Sequence, residues 1–186
     1  KRQHFDQALT DYKQLKAKAT TTERRQLAAT GMLRSAAMMQ DDVETIAAAT
    51  DMLAEAKLTP ELRNEALYFR AKAYLNQQAD KKAMNDLQAL AKDTRTLYGA
   101  EAKYLVALQL YKAHEYAAAE KEILNFIEQS TPHAYWLARS FILLSDVYVA
   151  MDKKLDARQY LLSLQQNYHA DDDIEQMIKE RLEKLK

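Results

Sequence analysis

Apolar positions recur at helical spacing almost from one end of this chain to the other. Phe5, Ala8, Tyr12 and Leu15 step by 3, 4 and 3, along one face of an α-helix. Ile174, Met177, Ile178, Leu182 and Leu185 make a similar stripe near the other end. There Glu175, Lys179, Glu180, Glu183, Lys184 and Lys186 take the remaining faces, as a terminal capping helix would have it. No run of alternating β-branched residues reads as a strand. The pattern predicts about ten helices, near 2–18, 22–40, 42–57, 60–78, 80–93, 98–114, 116–130, 133–151, 154–168 and 171–185. The breaks between them carry start signals. Thr20-Thr21-Thr22 ahead of Glu23 offers an N-cap with an acid in the first turn. Thr59-Pro60-Glu61 puts proline at the first helical position behind a threonine cap, and Thr131-Pro132 repeats the device before Ala134. Asp41-Asp42, Asp80 and Asp152 fall in the short turns between paired helices.

The helices repeat as pairs. Asn64–Leu90, Ala100–Phe126 and Ala138–Leu164 each read as helix, polar break, helix. Within them an alanine recurs at Ala83, Ala119 and Ala157, in steps of 36 and 38 residues. Leu87, Ile123 and Leu161 follow four places later, and Tyr74, Leu110 and Tyr148 precede by nine. A period in the thirties made of two helices marks a helical solenoid. The expected fold is all-α, a solenoid of antiparallel helix pairs running as a single domain over 1–186. It comprises a partial repeat at 1–20, repeats near 22–58, 60–96, 98–132 and 133–169, and a capping helix at 171–186. Either Thr45 or Ala48 fits the recurring alanine of the first full repeat. Ala8 and Tyr12 match the second helix of a pair, so the chain is expected to be the C-terminal part of a longer protein.

Composition narrows the function classes. Among 186 residues there are two glycines, Gly31 and Gly99, two prolines and no cysteine. Disulfides, thiolate metal ligands and a cysteine nucleophile are excluded, while the compartment stays open. The 27 basic and 27 acidic residues give a formal net charge of zero, which argues against a nucleic-acid partner. No apolar run reaches membrane-spanning length. His4, His114, His133 and His169 lack the i+3 or i+4 pairing of a helical metal site. Asp171-Asp172-Asp173 beside His169 reads as acids favoured at a helix N-terminus. No phosphate loop is feasible with isolated glycines, and no serine has a nucleophile-elbow context. The expectation is a non-catalytic chain with no cofactor and no metal.

The three aligned segments resemble the tetratricopeptide repeat (TPR) family, and the resemblance implies a right-handed superhelical solenoid. Small residues Ala71, Ala107 and Ser145 in the first helix, with Ala83, Ala119 and Ala157 in the second, match its close-approach positions. Tyr74, Leu110 and Tyr148, with Leu87, Ile123 and Leu161, match its large ones. Arg70, where leucine is usual, and Lys103, where a large apolar residue is usual, depart from the pattern. The stretch Thr131–Tyr148, with Trp136 and Phe141, is similar to TPR chains of bacterial cell envelopes, which implies an envelope or periplasmic location; a cytoplasmic one stays open.

The resemblance also implies a site. TPR inner faces are built from set positions of the first helix. Carried over, these include Tyr68 and Lys72, then Tyr104, Leu108, Tyr111 and Lys112, then Arg139, Ile142 and Asp146. Tyr68, Tyr104, Tyr111 and Ile142 would form an aromatic, apolar strip flanked by Lys72, Lys112 and Arg139, a composition typical of protein interfaces. The alternative is that neighbouring hairpins cover the strip. The lysine and asparagine with which some TPRs grip acidic chaperone tails are absent from the matching positions. The implied function is a protein-interaction scaffold of unidentified partner. An RNA-binding helical-repeat module and a homo-oligomerisation module are the alternatives.

Overall fold

The computed structural model describes residues 2–185. Among them lie ten α-helices and no strand. They are α1 (Arg2–Lys18), α2 (Thr22–Met38), α3 (Asp42–Leu53), α4 (Pro60–Asn76), α5 (Asp80–Leu90), α6 (Leu97–Lys112), α7 (Tyr116–Glu128), α8 (Ala134–Ala150), α9 (Lys154–Asn167) and α10 (Ile174–Lys184). The protein is all-α, and each helix packs on its chain neighbours within two compact units. One unit runs to Leu90 and holds α1–α5; the other starts at Ala91 and holds α6–α10. No described helix is long and apolar enough to cross a membrane.

One turn is used four times. Gln40, Gln78, His114 and Asp152 sit in the left-handed region, with φ of 57°, 57°, 61° and 60°. The next N–H reaches back over the helix end: Asp41 to the Ala36 carbonyl (3.1 Å), Ala79 to Tyr74 (2.8 Å), Glu115 to Leu110 (2.9 Å), Lys153 to Tyr148 (2.8 Å). The left-handed residue's own N–H bonds to Ala37, Leu75, Tyr111 or Val149. This paired closure is the Schellman motif, which satisfies carbonyls that a helix end leaves orphaned. It joins α2 to α3, α4 to α5, α6 to α7 and α8 to α9.

These turns decide the register that the sequence leaves open. Ala83, Ala119 and Ala157 each lie five places beyond a left-handed residue and are fully buried. Thr45 stands in that place after Gln40 and is 3% exposed. Thr45 rather than Ala48 is therefore the equivalent, and Ala49 takes the place of the large residue.

Start signals behave as capping chemistry requires, with one exception. Thr21, Asp41, Thr59 and Thr96 accept hydrogen bonds from the backbone N–H groups of Arg24, Glu44, Leu62 and Gly99. Thr131-Pro132 does not start a helix: α8 begins at Ala134, with His133 as an N-cap that makes no side-chain cap bond. The Thr131 hydroxyl instead donates to the Thr94 carbonyl at 2.7 Å, and His133 Nε2 lies 3.0 Å from the Arg95 carbonyl. The segment is held as a loop against 94–95.

The two departures from the TPR pattern have partners on the second helix of their own hairpins. Arg70 on α4 makes a bidentate pair with Asp86 on α5, both bonds 2.8 Å. Lys103 on α6 reaches Asn125 at 2.7 Å and Glu122 at 2.8 Å on α7. Asp86 and Glu122 occupy equivalent places; the corresponding residue in the last hairpin is Tyr160, which packs against Phe141 and Tyr148. One slot between paired helices is thus filled either by a paired charge or by packed aromatic rings.

In the first unit Leu9, Met32, Leu33, Ala49 and Met52 form the core, with Phe5, Tyr12 and Phe69 packed on it. In the second, Ala138 and Ile142 of α8 meet Leu161 and Leu164 of α9 and Ile174 and Ile178 of α10. The apolar stripe of α10 is thereby buried, and its charged faces stay outside.

Candidate interaction grooves

Each unit carries an open groove beside the first helices of its hairpins. In the first unit a cavity of ≈ 530 Å³ is lined by Ala37 of α2, Thr45 of α3, and Tyr68, Phe69, Lys72 and Ala73 of α4. Alanines on two helices leave the space, and the aromatic rings form its wall. Tyr68 meets Phe69 edge-on at 5.5 Å, and the Lys72 ammonium lies 5.8 Å from the Tyr68 ring centre. Asn76 donates to Asp42 at 3.0 Å, tying α4 to the start of α3. Arg34 of α2 clasps Glu65 of α4 through two bonds of 2.6 and 2.8 Å.

In the second unit a cavity of ≈ 430 Å³ lies among α6, α8, α9 and α10, lined by Tyr111, Asp146, Val149, Lys154, Arg181 and Lys184. Arg181 binds Asp146 bidentately at 2.8 and 2.7 Å and also donates to the Met177 carbonyl at 3.2 Å. Burial, and then the Asp146 charge, push the Tyr111 hydroxyl above the usual tyrosine value. Ser145 also lines this cavity; its Oγ is buried and has no hydrogen-bond partner among the described residues.

The nine residues placed on the inner face by the repeat register separate into distinct roles. Tyr68 and Lys72 line the first groove, and Tyr111 and Asp146 the second. Leu108 is half-buried and Lys112 is exposed. Ile142 is 1% exposed, because α9 and α10 close over it. Tyr104 is 6% exposed, 5.5 Å from the Trp136 ring and against Arg139. Arg139 donates to the hydroxyls of Tyr104 and Tyr135, 3.0 Å each, and pairs with Asp173 at 3.5 Å. Tyr104, Arg139 and Ile142 therefore serve packing in this unit, and the accessible strip is narrower than the register implies.

All three cations of the second groove, Lys154, Arg181 and Lys184, lie outside the sequence-derived set. The charged faces of α10 read from sequence as solvated. Only the docking of α10 on α8 turns Arg181 toward Asp146. No group of three or more His, Asp or Glu suited to hold a metal occurs among the described residues. No protein-family model, curated protein or solved structure matches the chain.

Proposed function

We propose that the protein is a non-catalytic interaction scaffold of the tetratricopeptide type, holding segments of partner proteins in its helix-lined grooves. The observation that carries this reading is the fourfold repetition of one helical hairpin. The same left-handed turn recurs at Gln40, Gln78, His114 and Asp152, and a buried, tightly fitted residue follows five places later each time. Stacked hairpins of this kind bury their own cores and leave the inner helices to bind other macromolecules. Tyrosines with adjacent charged residues at the grooves are interface chemistry. The likeness of Thr131–Tyr148 to envelope TPR chains extends the proposal to a bacterial envelope complex.

The test is capture of partners by the full chain from the source cell, comparing variants of groove and opposite face. Tyr68→Ala with Tyr111→Ala should reduce capture strongly, since truncating an aromatic anchor removes about 2 kcal/mol or more of binding. Lys121→Ala with Glu128→Ala, on the exposed side of α7, should leave it unchanged. If the α7 pair abolishes capture and the tyrosine pair does not, the grooves are not the site. Sub-micromolar affinity for single-stranded RNA at physiological salt would overturn the reading altogether, since a balanced charge leaves little counterion release to drive it.

A further inference from the structure

The second groove has a charge pattern that specifies what it holds. Of its three cations, Arg181 is consumed: Nε and Nη2 lie on Asp146 and Nη1 on the Met177 carbonyl. Lys154 and Lys184 line the same cavity and form no ion pair among the described residues. Glu180, the remaining acid there, offsets one of them, so the groove keeps a positive excess. The Tyr111 hydroxyl adds an uncharged donor.

The apolar part of the surroundings is equally specific. Val149 in the groove is 39% exposed. Leu185 lines the cavity beside Lys184. Apolar side chains beside lysines without ion pairs in one groove suit a ligand that is both anionic and apolar. A simple phosphate would satisfy the lysines and leave the apolar rim in water. A cavity of ≈ 430 Å³ accommodates one or two side chains rather than a whole helix. We propose that this groove binds an acidic peptide segment that alternates carboxylate with large apolar side chains, the carboxylates on Lys154 and Lys184 and the apolar groups on Val149 and Leu185. The proposal rests on the reading of the chain as a protein-interaction scaffold.

Fluorescein-labelled peptides of alternating Glu and Leu, Gln and Leu, and Lys and Leu, titrated with the full chain at physiological salt, provide the test by fluorescence anisotropy. The Glu–Leu peptide should bind about tenfold tighter than the Gln–Leu peptide. Lys154→Glu combined with Lys184→Glu should weaken it about tenfold or more while circular dichroism and thermal unfolding stay unchanged, because both side chains are exposed. Inorganic tripolyphosphate should not displace it. Undiminished binding by the double variant overturns the assignment, as does equal competition by tripolyphosphate, which marks a plain anion sink. Binding of the Gln–Leu or Lys–Leu peptide in preference, or binding abolished only by Tyr68→Ala, rejects this site and keeps the scaffold reading. Failure of all three peptides to bind rejects this assignment, while the scaffold reading stands or falls with the capture experiment.

Discussion

The buried Ser145 hydroxyl is a defect in an otherwise well-matched packing position. The equivalent residues of the two preceding hairpins are Ala71 and Ala107, 0% and 1% exposed. A buried hydroxyl without a partner costs about 1–3 kcal/mol, and alanine is the better helix former. Ser145→Ala should therefore raise stability by about 1 kcal/mol, read as a shift of the urea midpoint with unchanged slope. The two glycines separate on similar grounds of contact. A Cβ at Gly99 would sit 1.9 Å from the Asp93 carbonyl oxygen, which belongs to backbone. At Gly31 it would meet the Tyr12 ring at 2.4 Å, and a side chain can swing away. Gly99→Ala should cost about 3 kcal/mol or more and Gly31→Ala distinctly less, by thermal unfolding of the two variants side by side. Equal losses would show that the Asp93 backbone yields as readily as the Tyr12 ring.

Between elements, the Arg70–Asp86 pair is the sharpest case of chemistry joining two helices. Side-chain exposures of 19% and 7% put both charges largely out of water. Asp86→Ala leaves the largely buried guanidinium without its carboxylate, its bond to the Thr50 hydroxyl at 3.1 Å remaining, and should destabilise by about 3 kcal/mol. Arg70→Leu with Asp86→Ala should recover most of that loss, since removing both members of a buried pair is often near neutral. A double variant as unstable as Asp86→Ala alone would mean that the pair is not what holds α4 on α5. The same pair shows where sequence reading stops. Apolar periodicity locates all ten helices, with ends within a few residues, because it depends on neighbours three and four places away. The Arg70 side chain looks like a flaw in the TPR pattern because its partner lies on another helix. Thr131-Pro132 has the form of a cap, yet a contact with Thr94 overrides it. Ile142 and Tyr104 fall at inner positions by register, and only the docking of α10 and the placement of Trp136 reveal that they are covered. Local signals fix elements; the site depends on which faces later elements bury.

At the scale of the whole molecule, the two units differ in how they should respond to alkali. Tyr111, Tyr135, Tyr148 and Tyr168 are all pushed above the ordinary tyrosine value, and all belong to the unit that starts at Ala91. Burial is the first cause in each. Glu120 and Tyr160 add to it at Tyr148, and Asp172 at Tyr168, which is pushed up to about 12. The folded state thus holds these protons more tightly than the unfolded chain, where tyrosine titrates near ~10. Their stabilising contribution is complete below that value and is lost as pH rises from it toward the folded values. Stability of the second unit should fall steeply from about pH 10 upward, while the first loses less. Hydrogen exchange at pH 9 and pH 11 would resolve the units separately. Tyr148→Phe should flatten the alkaline slope, because phenylalanine has no proton to lose. A slope unchanged by that substitution would remove Tyr148 from the account.

The recurring left-handed turn also bears on how the chain should come apart under tension. Each turn closes its hairpin with bonds between residues a few places apart, so each hairpin's grip is local. Successive turns lie 38, 36 and 38 residues apart, from Gln40 to Asp152. Drawn from its ends in an optical trap, the protein should yield in near-equal increments. Each would release roughly 120–135 Å of contour, at about 3.3–3.6 Å per extended residue. A ladder of even steps, rather than one rupture, is the mechanical signature of a fold in which the same corner is turned four times.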